Sequence, residues 1–167
     1  EDKYEKALEL YNDKKYNKAL TLFKEVEHVF AHSDRADSVM FFIGVCYYNM
    51  GDFVSSGEQF NTFRQEFRRS PFLEEAEYYF AKGFYYSSPE PENDQTNTHV
   101  AMQAIGEYLG HYPNSHKKEE LIENLTDLRQ RLYDKTYLNA KLYYDIGYYN
   151  SAVTALNNAI KRYPDSN

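Results

Sequence analysis

His28 and His32 stand four residues apart, a spacing at which one helix face can offer two imidazoles to zinc. No third ligand accompanies them, and the glutamate of a metalloprotease motif is missing. His99, His111 and His116 fall at helix edges. The acidic pairs Glu74-Glu75 and Glu119-Glu120 could be read as general acid–base couples. Both lie where helices begin, however, and negative charge there complements the helix dipole without any catalytic role. Arg64, Arg68 and Arg69 make a small basic patch, read as a solvated face or a dock for an acidic partner. Cys46, the single cysteine, excludes an intramolecular disulfide and reads as an inert buried thiol beside Ile43 and Tyr47-Tyr48. There is no phosphate-cradling glycine loop and no Cys-His cluster. The expectation is a protein that is not an enzyme and carries no cofactor.

The unusual residues are aromatic. Eighteen tyrosines and eleven phenylalanines make up 17% of the 167 residues, with no tryptophan. A formal charge of −7 disfavours nucleic acid, whose phosphates need a basic face. No apolar run is long enough to cross a bilayer, and these residues contain no signal-peptide pattern; the chain opens on charged Glu1-Asp2-Lys3. Both ends read as trimmed, so targeting information would be missing.

The elements that position these aromatics recur. Residues 136–164 read as two helices joined at Gly147, where glycine enters the left-handed cap without strain, and closed by Tyr163-Pro164. Ala140 and Ala152 are their small sites, twelve positions apart. The same interval separates Ala7 from Ala19 and Gly44 from Ser56. In another copy Gly83 and Ala101 lie eighteen apart, so residues have been inserted between its helices. Ser33, Ser70, Ser115 and Ser166 follow the closing slots and read as helix N-caps. This is the tetratricopeptide pattern of stacked helix pairs.

The expected fold is all-α, a right-handed superhelical solenoid of four helix pairs in a single repeat domain over 1–167. Repeat 1 covers 1–32, with helices at 2–13 and 16–30. Repeat 2 covers 33–69, with helices at 34–50 and 52–68. Repeat 3 covers 70–114; Ser70-Pro71 opens its first helix, with proline at the first position. Its polar, proline-rich loop occupies 87–97, and helix returns near Asn97. A linking helix and repeat 4 fill 115–167. Leu121, Leu125, Leu128, Leu132 and Leu138 keep helical spacing from Ser115 to about Asp145, which predicts one long helix; a bend between Asp134 and Thr136 is the alternative.

Stacked pairs create a concave face lined by the first helices. The repeat projects Tyr4, Leu8 and Tyr11 onto it, then Phe41, Val45 and Tyr48, then Phe80 and Phe84, and finally Tyr137, Lys141 and Tyr144. Such a groove suits an extended peptide with aromatic or apolar side chains.

Particular stretches resemble one family. Lys141-Leu-Tyr-Tyr-Asp-Ile-Gly-Tyr-Tyr-Asn-Ser-Ala, with Arg162-Tyr-Pro-Asp-Ser, is similar to the fourth repeat of the BamD family of outer-membrane β-barrel assembly lipoproteins. Tyr78-Tyr-Phe-Ala-Lys-Gly, the loop with Asp94-Gln-Thr, and Ala101-Met-Gln-Ala-Ile resemble its third repeat. Leu125-Thr-Asp-Leu-Arg-Gln-Arg-Leu resembles its long joining helix. Tyr4 to Phe30, and the turn Tyr47-Tyr-Asn-Met-Gly-Asp-Phe, fit the first two repeats, so the resemblance spans nearly the whole chain.

The resemblance implies a lipoprotein on the periplasmic face of the outer membrane, anchored in its inner leaflet by a lipid. It implies a scaffold that captures unfolded outer-membrane protein segments and hands them on, with the barrel-shaped core subunit and accessory lipoproteins as partners. The family's lipidated cysteine and fifth repeat have no counterpart in these residues. A tetratricopeptide adaptor for some other protein's tail is the alternative class, and a surface-polymer or cell-division scaffold a third.

Overall fold

A computed structural model of the chain describes residues 2–91 and 93–165. Among the described residues there are eight helices and no strand. They are α1 (Lys3–Asn12), α2 (Tyr16–Glu27), α3 (Ala36–Asn49), α4 (Phe53–Glu66), α5 (Leu73–Ser87), α6 (Thr96–His111), α7 (Lys118–Asp145) and α8 (Tyr149–Arg162). The chain forms two compact units, Glu1–Tyr86 and Ser87–Asn167. Within each, successive helices pack on one another: α1 with α2, α2 with α3 and α3 with α4 in the first, α6 with α7 and α7 with α8 in the second. This is the tetratricopeptide arrangement of paired helices.

The turns show how closely the repeats agree. α1, α3 and α7 each end with a residue in the left-handed region: Lys14 at φ 59°, Gly51 at 79° and Gly147 at 89°. In each case the next amide reaches back to the carbonyl five residues earlier: Lys15 to Leu10 at 2.8 Å, Asp52 to Tyr47 at 3.0 Å and Tyr148 to Tyr143 at 2.8 Å. These bonds satisfy carbonyls that a helix end would otherwise leave without a partner. Glycine takes this conformation freely, whereas lysine does so at a cost.

The serines after each repeat act one turn ahead of the expected place. Ser33, Ser70 and Ser115 each accept the amide two residues on, at 3.1 Å. Yet α3, α5 and α7 begin three residues after their serine. The serines therefore brace a tight turn that feeds the helix and are not its N-caps. For the same reason Pro71 lies in the turn before α5 and not at its first position. Ser166 lies outside the described residues.

In the first unit the small residues let helices approach. A Cβ on Gly44 would lie 2.7 Å from the ring of Phe60, itself fully buried. Phe41 meets the rings of Phe42, Phe60, Phe63, Phe72 and Tyr79, with centroids 4.8 to 6.2 Å apart. Offset and edge-on pairs at these distances add to the burial of apolar area.

The second unit is built on α7, which runs unbroken for 28 residues through the point where a bend was the alternative. Leu121, Leu128 and Leu132 bury its first half. Its middle holds the inserted loop. Arg131 Nη1 donates to the Ser88 carbonyl at 3.0 Å while its Nη2 donates to Asp127 at 2.8 Å. Lys135 Nζ donates to the Asn93 carbonyl at 3.0 Å. From the loop's own side, buried Gln95 donates to the carbonyls of Glu90 and Asn93 and accepts from fully buried Thr98, which also bonds Ser88 Oγ. Polar, proline-rich chain that cannot be helical is thus fixed by satisfying its carbonyls one by one.

Candidate functional site

The residues expected along the concave face have different fates. Val45 is fully buried, Phe41 nearly so, and Tyr4 and Phe80 are each 8% exposed. These four, expected in a peptide-binding groove, are held inside the packing of the first unit. α3 covers α1 and α2, and what periodicity marks as one face of α1 becomes interior. Tyr4 shows this directly. Its hydroxyl bonds Ser38 of α3, and the guanidinium of Arg35 lies 4.8 Å from its ring centroid.

Tyr11, Tyr48 and Phe84 are half-buried. Tyr11 packs edge-on against Phe42 at 5.0 Å, and Tyr48 against Tyr79 at 4.9 Å. Burial raises the pKa of the Tyr11 and Tyr79 hydroxyls, with nearby acidic groups adding to the effect, so both remain neutral donors.

Tyr137, Lys141 and Tyr144 are exposed and close together. They form one wall of a groove of about 640 Å³ between α7 and α8, with Ala140 and Ala152 as its floor and Tyr149 and Val153 opposite. Tyr144 and Tyr149 meet edge-on at 5.1 Å across the turn at Gly147. Tyr144 is 61% exposed, Tyr149 59% and Val153 57%. The groove is apolar except for Lys141 and Asp145, one turn apart on α7. Concave, aromatic-walled and carrying few charges, it has the make-up of a protein-recognition surface.

α2 ends at Glu27, so His28 and His32 lie in the connection to α3 and not on one helix. Both are exposed, and no group of three or more metal-ligating side chains occurs among the described residues. Arg64 leaves the supposed basic patch: its guanidinium carbon sits 4.0 Å over the Phe80 ring. Arg68 and Arg69 are exposed. Cys46 is fully buried, and desolvation pushes its thiol up to about 12, so no thiolate is present near neutrality. Lys82 escaped sequence reasoning. It is 3% exposed, with its ammonium 4.9 and 4.8 Å from the ring centroids of Tyr85 and Tyr86. Only the Tyr85-Tyr86 pair one turn along could have flagged it.

No helix among the described residues is long and apolar enough to cross a membrane. No curated protein matches the chain. A family model described as YfiO, outer membrane lipoprotein, matches residues 1–167. With its paired helices, aromatic interior and open groove, the chain belongs to the YfiO family of outer membrane lipoproteins.

Proposed function

We propose that the chain is a non-enzymatic adaptor of BamD type in the machinery that inserts β-barrel proteins into the outer membrane, working on the periplasmic side. It recognises protein segments and passes them on, and no bond is made or broken. The observation that carries this reading is the exposed tyrosine-walled groove of the second unit in a chain whose full length matches an outer membrane lipoprotein family. Exposed large aromatics raise no stability of their own, and they are the residues that dominate binding energy at protein interfaces.

The roles divide between the units. Tyr11, Tyr48 and Phe84, half-buried in the first, receive extended aromatic segments of unfolded barrel proteins. Buried Tyr4, Phe41, Val45 and Phe80 hold those rings in place behind them. Tyr137, Lys141 and Tyr144 dock a partner subunit, the barrel-shaped core subunit or an accessory lipoprotein.

The test is titration with a labelled peptide from the last strand of an outer-membrane barrel protein. Phe84→Ala is expected to weaken binding at least fivefold, and Tyr144→Ala to leave it unchanged. Absence of binding by the parent protein, or equal binding by the parent and Phe84→Ala, overturns the assignment of the first unit. A second arm places a photo-crosslinking residue at Tyr144 in the bacterium of origin. Adducts with assembly subunits are expected there and not at exposed Val29 in the first unit. Adducts with unrelated proteins alone would favour a general tetratricopeptide adaptor.

A further inference from the structure

The first unit carries an acid with no cation to answer it. From α1 across α3 to α5, rings form a continuous series. Tyr11 meets Phe42 at 5.0 Å, Phe42 meets Phe41 at 5.4 Å, Phe41 meets Tyr79 at 6.2 Å and Tyr79 meets Tyr48 at 4.9 Å. Phe41 is buried, and the other four are half-buried. Glu75 stands one turn before Tyr79 on α5, a spacing that puts the two side chains on one helix face. It is exposed, and among the described residues it makes no hydrogen bond or ion pair. Its neighbour Glu74, by contrast, interacts within the protein.

The carboxylate reaches the rings of two helices electrostatically. Burial raises the pKa of the Tyr11 and Tyr79 hydroxyls, and Glu75 adds to both. Tyr16 pushes both the same way, and Tyr79 and Cys46 do so for Tyr11; no cation opposes them. Two lysines are close in sequence. Lys15 precedes Tyr16, and Lys82 lies one turn past Tyr79. Neither offsets the acid at these hydroxyls. Lys82 holds its ammonium against Tyr85 and Tyr86 instead, 4.9 and 4.8 Å from their ring centroids. The helix dipole makes an acid welcome at the start of α5, but it supplies no counter-ion. A carboxylate beside neutral tyrosines is a set of groups that holds a cation: the acid matches its charge, while ring faces and phenol oxygens receive its N–H groups.

We infer that Glu75, with Tyr11 and Tyr79, is a specificity site for a lysine or arginine side chain, two positions from an aromatic residue in the extended segment that the first unit receives. The spacing fits. Four residues along α5 rise about 6 Å. Side chains two apart on one face of an extended chain stand about 6.6 Å apart. An aromatic side chain on the rings of Tyr48 and Tyr79 thus brings a basic neighbour to Glu75. The inference rests on the adaptor reading and sharpens it, adding a charge requirement to the aromatic one.

The test titrates three labelled last-strand peptides, identical except that the position two residues before an aromatic is Lys, Gln or Glu. The parent protein is expected to bind the Lys peptide about threefold more tightly than the Gln peptide, the size of one exposed charge pair. Glu75→Gln should bind the two equally, and Glu75→Lys should favour the Glu peptide. Glu58→Gln, at an exposed acid of α4, removes the same net charge and should keep the Lys preference. No preference in the parent, a preference that survives Glu75→Gln, or an equal loss in Glu58→Gln overturns the inference. If Phe84→Ala still weakens all three peptides in that event, the adaptor reading stands. Absence of binding by every peptide overturns both.

Discussion

The first unit hides its rings and the second displays them. Phe41 sits among five other rings, while Tyr144 has one ring neighbour and is 61% exposed. Residue type alone does not separate the two settings. Tyr4 and Tyr137 are the same side chain at the same place in the repeat, and they differ because α3 covers one and no described helix covers the other. A repeat hairpin defines a face, and its neighbour decides whether that face is core or contact surface.

The sharpest way to break this comparison is to remove one ring from each setting. Phe41→Ala is expected to cost about 3–5 kcal/mol in denaturant unfolding, since it empties a space its neighbours cannot refill. A loss below about 1 kcal/mol would show that the first unit's rings are not a cooperative core. Next comes Gly44→Ala, expected to cost about 1–3 kcal/mol because the new methyl would press on the buried Phe60 ring; an unchanged midpoint would show that α3 and α4 can separate freely. In the second unit, Arg131→Ala removes the clamp on the Ser88 carbonyl and should cost about 1 kcal/mol. Limited proteolysis should then cut within residues 88–95 faster than in the parent protein, and an unchanged cleavage rate would mean that Gln95 and Lys135 suffice.

The two smallest effects test the turns and the open face. Lys14→Gly is expected to stabilise by about 0.5–1 kcal/mol in thermal unfolding, because it relieves a left-handed lysine in the slot where Gly51 and Gly147 occur. Destabilisation would mean that the lysine side chain contributes more than its backbone costs. Tyr144→Ala should change stability by less than about 0.5 kcal/mol, as surface substitutions do. A loss as large as that of Phe41→Ala would erase the distinction between the units.

Sequence periodicity located the helices because small residues, left-handed turns and proline stops mark their ends locally. α6 begins within a residue of where the inserted loop was expected to close, and α7 is the long helix its leucines predict. Burial was not legible in the same way. Val45 and Tyr144 both project from first helices onto the expected face, yet one is interior and the other open, a property of packing that no single hairpin encodes. Arg64 was misread for a related reason. Its charge marks it as surface, but the flat guanidinium lies over Phe80, a ring sixteen positions away in sequence. The loop clamp depends on Arg131 and Lys135 reaching residues more than forty positions earlier.

The unbroken course of α7 fixes an angle as well as a length. Its 28 residues span about 42 Å, and each residue turns the helix by about 100°. Lys135, which grips the loop, and Tyr137, which begins the groove wall, are two positions apart. One residue inserted at Thr136 would swing α8 and its tyrosines about a quarter-turn or more away from the loop while leaving every local contact type intact. The helix therefore works as a keyed shaft, and the spacing of its grips tolerates point substitution far better than any change in count.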